Sequence, residues 1–142
     1  MQRKATAEWR GKIQDGSGTI TTESEMLASA PYSFRTRFEH AVGTNPEELL
    51  AAAHAGCFSM ALAVILGDAG MNPVHIETTA TISFVKDPAG GFMISESHLD
   101  VTARVPGGSQ EAFEKAAAAA EAGCPVSKLF RAKITMDAKL EA

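Results

Sequence analysis

Eighteen consecutive residues at 49–66, LLAAAHAGCFSMALAVIL, carry no acidic residue, lysine or arginine. The run is long enough to test as a membrane span. Its quality argues against one: alanine and glycine dominate, His54 sits inside it, Glu47 and Glu48 precede it, and no Lys or Arg flanks it. A helix that is apolar all round is more simply a core helix. In a chain of 142 residues, burying such a helix completely points to a second subunit covering part of it. The helix begins near GTNPEEL, where Thr44 or Asn45 can cap it. Pro46 suits its first turn, and Glu47 and Glu48 complement its dipole. It is predicted to stop near Gly67–Gly70, with Pro73 preventing its return.

Around this helix the chain reads as strands and short helices. Residues 4–13 alternate, with Ala5, Ala7, Trp9, Gly11 and Ile13 on one face and charged or hydroxyl residues on the other, which predicts a strand with one wet face. DGSG at 15–18 is a hairpin turn signal, and 19–26 continues as a strand. A third extended run is predicted over 32–39. It puts Tyr32, Phe34, Thr36 and Phe38 on one face and Ser33, Arg35, Arg37 and Glu39 on the other. Residues 75–86 and 92–105 form two more strands joined by DPAGG, 87–91. Ser109 caps a second long helix through about Ala122, and Gly123 ends it. Cys124 and Pro125 open a short helix, CPVSKLF, and a last strand alternates from Ala132 to Leu140. The order is β-β-β-α-β-β-α-β. Strands that come in hairpins pair antiparallel, so the class is α+β with largely antiparallel sheets. One domain spans 1–142.

The formal net charge is -4 and no basic run is present, which argues against nucleic acid as a partner. MQRKATAEWRGK at the start has no apolar segment of the secretory kind, so the expected location is the cytoplasm. Two cysteines are too few for a secreted disulfide framework. In a reducing compartment such a pair is redox-active, catalytic or simply buried.

Cys57 on an ideal helix has Leu50, Ala53, His54, Met60, Ala61 and Val64 as neighbours. A thiol in that setting has a raised pKa and is inert unless a cation reaches it from outside the helix. Cys124 stands at a helix start, where the thiolate is favoured and Pro125 fits the first position. It reads equally well as a small residue at a tight helix junction. Spacing alone does not say that the two cysteines meet.

TRFE (36–39), GTNPEEL (43–49), AAHAGCFSMAL (52–62) and AGCPVSKLF (122–130), in this order, resemble the OsmC/Ohr family of thiol-dependent peroxidases acting chiefly on organic hydroperoxides. The resemblance covers essentially the whole chain. It implies an intertwined homodimer in which antiparallel sheets wrap central helices and two active sites lie at the subunit interface. It also implies that Cys57 attacks the peroxide, that Cys124 resolves to a disulfide, and that an external dithiol reduces it. Arg37 looks like the family arginine that stabilises the thiolate and orients the peroxide, and Glu47 looks like its carboxylate partner. No cofactor and no metal is implied. In the Ohr branch the arginine sits in an early Gly-rich loop; here that loop reads QDGSGT and has none, so the chain looks like the OsmC branch.

Arginine suits the task because its fork stays charged and donates to both a thiolate and a peroxide oxygen. Arg37 is preferred to Arg35 on the family match, since both share one strand face in this reading. Glu47 stands ten residues before Cys57, roughly 15 Å of rise on a straight helix. Either the helix breaks after NPEEL, or Glu47 reaches the cysteine of the other chain, or Arg37 bridges the gap; the second suits a site at a dimer interface. His54, three residues from Cys57, could pair with the thiolate as in cysteine hydrolases. The plainer reading is a satisfied core histidine, and it is preferred. A metal site from His54, Cys57 and Cys124 lacks the usual ligand spacing. Tyr32, Phe34, Phe38, Phe58, Met60 and Phe130 could wall an apolar pocket that favours an alkyl or lipid hydroperoxide over hydrogen peroxide, or could be plain core. The alternatives to a dithiol peroxidase are a dimeric binding protein with structural cysteines and a Cys–His hydrolase.

Overall fold

A computed structural model describes residues 1–141. The chain divides into two compact units, Met1–Leu49 and Leu50 onward. The first holds a three-stranded antiparallel sheet in the order β1-β2-β3: β1 is Ala5–Arg10, β2 Ser17–Thr22 and β3 Ala30–Tyr32. The β1–β2 pairing ends at Arg10↔Ser17, so the hairpin turn lies earlier than DGSG, and Gly11 takes a φ of 90° within it. Gly18 is already in the strand. A Cβ there would lie 2.4 Å from the Glu8 carbonyl oxygen and 2.5 Å from the Tyr32 ring, so only glycine lets β1, β2 and the aromatic ring close up. Past Thr22 the predicted strand stops, because the Thr22 hydroxyl accepts the Leu27 N–H at 3.1 Å and folds the chain back.

The extended run expected over 32–39 is instead a helix, α1, Phe34–Phe38. Ser33 caps it: its side chain accepts the Thr36 N–H at 3.3 Å, and the Ser33 N–H donates to the Thr36 hydroxyl at 2.8 Å. Those local bonds offer the backbone a better partner than a sheet edge. Residues 34 and 38 share a face in a strand and in a helix alike, so the spacing of the aromatic residues could not separate the two. The Phe34 and Phe38 rings lie 4.6 Å apart.

α2, Pro46–Asp68, is a single unbroken helix, which removes the broken-helix option for Glu47. Asn45 caps it, its Oδ1 accepting the Glu48 N–H at 2.8 Å, while the Thr44 hydroxyl donates to the Glu48 carboxylate. By length and composition α2 is able to cross a membrane. Its fully buried residues are His54, Phe58, Leu62 and Leu66, a stripe at i+4 spacing, while Met60 and Val64 are 73% and 61% exposed.

In the second unit β4, His75–Lys86, and β5, Phe92–Arg104, form a long antiparallel hairpin closed by the DPAGG turn. β6, Lys133–Glu141, adds to β5 in parallel, in the order β4-β5-β6. The other strand pairs described are antiparallel, so the pairing is largely antiparallel, as expected. Between β5 and β6 run the helices α3, Gln110–Gly123, and α4, Pro125–Leu129, and a helical crossover returns the chain in the same direction. Leu99, Val101 and Ala103 from β5 pack with Phe58, Leu62 and Leu66 from α2 and Phe113, Ala117 and Ala120 from α3. Burying each large side chain in this core contributes about 1.5–3 kcal/mol. Alanines in α3 let the helix come close to its neighbours.

Candidate active site

The first unit brings Arg37 and Glu47 together. Arg37 Nη2 donates to Glu47 Oε1 at 2.6 Å, and its Nε lies 3.1 and 3.2 Å from the two carboxylate oxygens. Glu47 is pinned by its place in the first turn of α2 and its side chain is only 12% exposed. Arg35 pairs instead with Glu39, four residues on, with side chains 71% and 54% exposed. The helical conformation separates the two arginines: at 100° per residue they point about 200° apart, whereas a strand would have put them side by side. Fork geometry of this kind fixes the guanidinium plane. A cavity of about 100 Å³ beside Arg37 is lined by Trp9, Ile13, Tyr32, Phe34 and Phe38, with Ser33 and Pro46. Of the expected pocket walls, Tyr32, Phe34 and Phe38 line it. Phe58 is fully buried in the core, Phe130 stands edge-on to His54 with centroids 5.1 Å apart, and Met60 faces outward.

The second unit brings the cysteines together. Cys57, from the middle of α2, and Cys124, between α3 and α4, have their sulfurs 2.9 Å apart as free thiols. Cys57 is half-buried and Cys124 fully buried. Burial and the bond to Cys124 push the Cys57 thiol up, as the apolar helix face predicts, against a weaker pull from the Val126 N–H. Burial pushes Cys124 up too, but the bond with Cys57 and donors from Ser127 and Val126 outweigh it and bring it below the ordinary thiol range. Cys57, the sulfur a solute can reach, is the one that needs an external cation to become a thiolate.

His54 is a core histidine. Its Nδ1 lies 2.6 Å from the Ser97 hydroxyl on β5 and its Nε2 2.8 Å from the Ser127 hydroxyl on α4. Burial holds its pKa below the usual imidazole value. Both ring nitrogens are engaged, so neither is left to take a proton from Cys57 or to ligate a metal. Neither serine stood out in the sequence, although Ser97 interrupts the inward row Leu99, Val101, Ala103 of β5, the one visible signal. On the opposite face of β5, His98, Asp100 and Asp137 bring ligating atoms within 4.8 Å of one another, and His98 Nε2 lies 3.0 Å from Asp137. Ligating atoms this close together could hold a cation.

A half-exposed thiol against a buried one, with an arginine clamped by a carboxylate elsewhere in the same chain, is the equipment of a cysteine-based redox protein. Comparison with known proteins places the chain more narrowly. Residues 39–139 match the model of the OsmC family, described as OsmC-like protein, and the chain belongs to that family. It is 48% identical over 142 residues to peroxiredoxin OsmC of Escherichia coli (strain K12), covering 100% of this chain and 99% of that one. The crystal structure of the organic hydroperoxide resistance protein OhrB of Bacillus subtilis superposes with a TM-score of 0.70 at 26% identity, over 97% and 98% of the two chains. An OsmC-like protein from Mycoplasma pneumoniae shares the fold, with a TM-score of 0.79 at 18% identity over 100% and 99%.

Proposed function

We propose that the protein is a thiol-dependent peroxidase that reduces organic hydroperoxides to alcohols in stress defence. The observation that carries this reading is the 2.9 Å approach of an accessible Cys57 to a buried Cys124. The identity to a peroxiredoxin over the full chain supports it. The Cys57 thiolate attacks the hydroperoxide; a sulfur–oxygen bond forms, the oxygen–oxygen bond breaks, and the alkoxide leaves as the alcohol after taking a proton. The sulfenic acid then meets Cys124, a disulfide closes and water leaves. An external dithiol returns both thiols by exchange.

Arg37 is assigned to stabilise the Cys57 thiolate and the peroxide oxygens, with Glu47 orienting its fork, whether the arginine serves its own chain or a second copy. The assignment rests on the family resemblance, on the bidentate Arg37–Glu47 pair, and on the need of Cys57 for a cation. The apolar walls beside Arg37 favour an alkyl or lipid hydroperoxide. A second copy of the chain is proposed to cover the exposed Met60 and Val64 on α2, making a homodimer. The cytoplasm, which supplies dithiol reductants, is the proposed location. The test is steady-state turnover with a dithiol reductant and either cumene hydroperoxide or hydrogen peroxide. A higher kcat/KM for cumene hydroperoxide is expected; equal values would count against the apolar pocket, and no turnover of either would count against the peroxidase.

A further inference from the structure

The outer face of the sheet in the second unit carries a group that peroxide reduction does not use. His98 and Asp100 alternate along β5 with the buried Ser97, Leu99 and Val101, so both point away from the core. Asp137, on β6, stands opposite Asp100 in the parallel register. His98 Nε2 lies 3.4 Å from Asp100 Oδ1 and 3.0 Å from Asp137 Oδ2. The three ligating atoms all fall within 4.8 Å of one another. Ligand atoms around a tetrahedral zinc ion stand roughly 3.3 Å apart, so both separations from the imidazole fit one. The remaining gap, between the carboxylates, closes by a turn of the Asp137 side chain, which is 82% exposed. His98 Nδ1 is hydrogen-bonded to the hydroxyl of Thr135, its register partner on β6. A hydroxyl in that place is able to accept the Nδ1 proton, orienting the ring and leaving the Nε2 lone pair for a metal. Among the described residues His98 is the only basic group paired with either aspartate, although Lys139 follows Asp137 on the same face of β6.

We propose that His98, Asp100 and Asp137 are the ligands of a divalent cation of the zinc class, and that the ion clips β6 to β5. An imidazole nitrogen at the centre of the set selects zinc and its late-transition neighbours over magnesium and calcium, which take oxygen ligands. Two carboxylates balance the charge of the ion, and water completes the coordination on the exposed side. Two ligands come from β5 and one from β6, so binding joins the strands through side chains as well as through the backbone ladder. The join matters because β6 is the outermost strand of the order β4-β5-β6 and is held by β5 alone in that sheet. Thr135 is a positioning residue that acts through His98. Neither cysteine takes part, so this site stands or falls separately from the peroxidase.

The experiment is equilibrium dialysis of the full-length protein against zinc, in a Cys57→Ser/Cys124→Ser background so that no thiol takes the metal. One zinc ion per chain is expected, undisturbed by excess magnesium. In the same background His98→Ala and Asp137→Ala should weaken binding about 100-fold or more, and Thr135→Val, which removes no ligand, about ten-fold. Zinc should also raise the urea midpoint of the parent and leave that of His98→Ala unmoved. The wild type, with its thiols in place, is tested with cobalt(II). A nitrogen and oxygen site gives weak visible bands without the strong near-ultraviolet absorption of a thiolate ligand, and His98→Ala should lose those bands. Either of two results would overturn the proposal. One is no zinc on the thiol-free protein together with only a thiolate cobalt spectrum in the wild type. The other is zinc held at parent affinity by both His98→Ala and Asp137→Ala.

Discussion

Acidification from about pH 6.5 to about pH 5 should destabilise the fold through one residue, His54. Its imidazole is fully buried and both nitrogens are bonded to serine hydroxyls, at 2.6 and 2.8 Å. Protonation would put two donors on the ring, force one of the two serine hydroxyls to turn round, and bury a charge with no carboxylate among these partners. Burial accordingly holds the folded pKa below the ordinary value of 6.5. The sign follows by linkage. With the folded pKa depressed, the unfolded chain takes up the proton first as pH falls. The stability His54 contributes is complete above 6.5 and is lost progressively below it, until the folded pKa is passed. The slope is at most about 1.4 kcal/mol per pH unit for one proton. Against a total of about 5–15 kcal/mol that is a large share within one or two units. Urea unfolding at fixed protein concentration, at half-unit steps across this window, measures it. The same series on His54→Gln removes the titrating group and cancels the contribution of carboxylates. The wild-type curve should fall more steeply than that of the variant by up to the full slope. Equal slopes would show that His54 does not resist protonation in the fold and would refute the reasoning.

Other consequences follow from the same geometry. Glu47→Gln replaces a charged fork partner of Arg37 by a neutral one, so kcat/KM for the hydroperoxide should fall about ten-fold, the worth of roughly 1.4 kcal/mol; an unchanged pH–rate profile and rate would remove Glu47 from the mechanism. Arg37→Lys keeps the charge but loses the fork, and should cost more than Arg35→Lys, whose partner Glu39 is exposed; stopped-flow peroxide reduction compares them. Gly18→Ala drives a Cβ against the Glu8 carbonyl and should lower stability by about 1–3 kcal/mol, read as a shift of the urea midpoint. Leu99→Ala, fully buried in the second unit, should cost about 2–5 kcal/mol by the same measurement.

How much of this was legible beforehand depends on how local the deciding force was. α2 was readable from a long uncharged run, Asn45, Pro46 and the glycines near its end, because helix length and caps are written in consecutive residues. The β4–β5 hairpin was readable from alternation and DPAGG for the same reason. The segment 33–38 was misread as a strand because Phe34 and Phe38 fall on one face in either conformation, and the Ser33–Thr36 capping box decided between them. With that error, Arg35 and Arg37 looked equivalent; only the helix turns them to different carboxylates. The parallel β5–β6 pairing depended on where the α3–α4 crossover returned the chain, a long-range matter that alternation in β6 does not encode. At the site, Cys57 and Cys124 were named from the residues and the family resemblance, but their meeting lies in packing. Ser97 and Ser127 went unseen because a small polar residue in an apolar row gains meaning only from the buried group opposite it.

The central claim is that Cys57 and Cys124 are one redox pair. Its most direct test is to add a stoichiometric organic hydroperoxide to the reduced protein, then count thiols and weigh the peptides without reductant. The account predicts loss of both thiols, one equivalent of alcohol, and a peptide crosslinked between Cys57 and Cys124. Unchanged thiols with the hydroperoxide fully retained would contradict it.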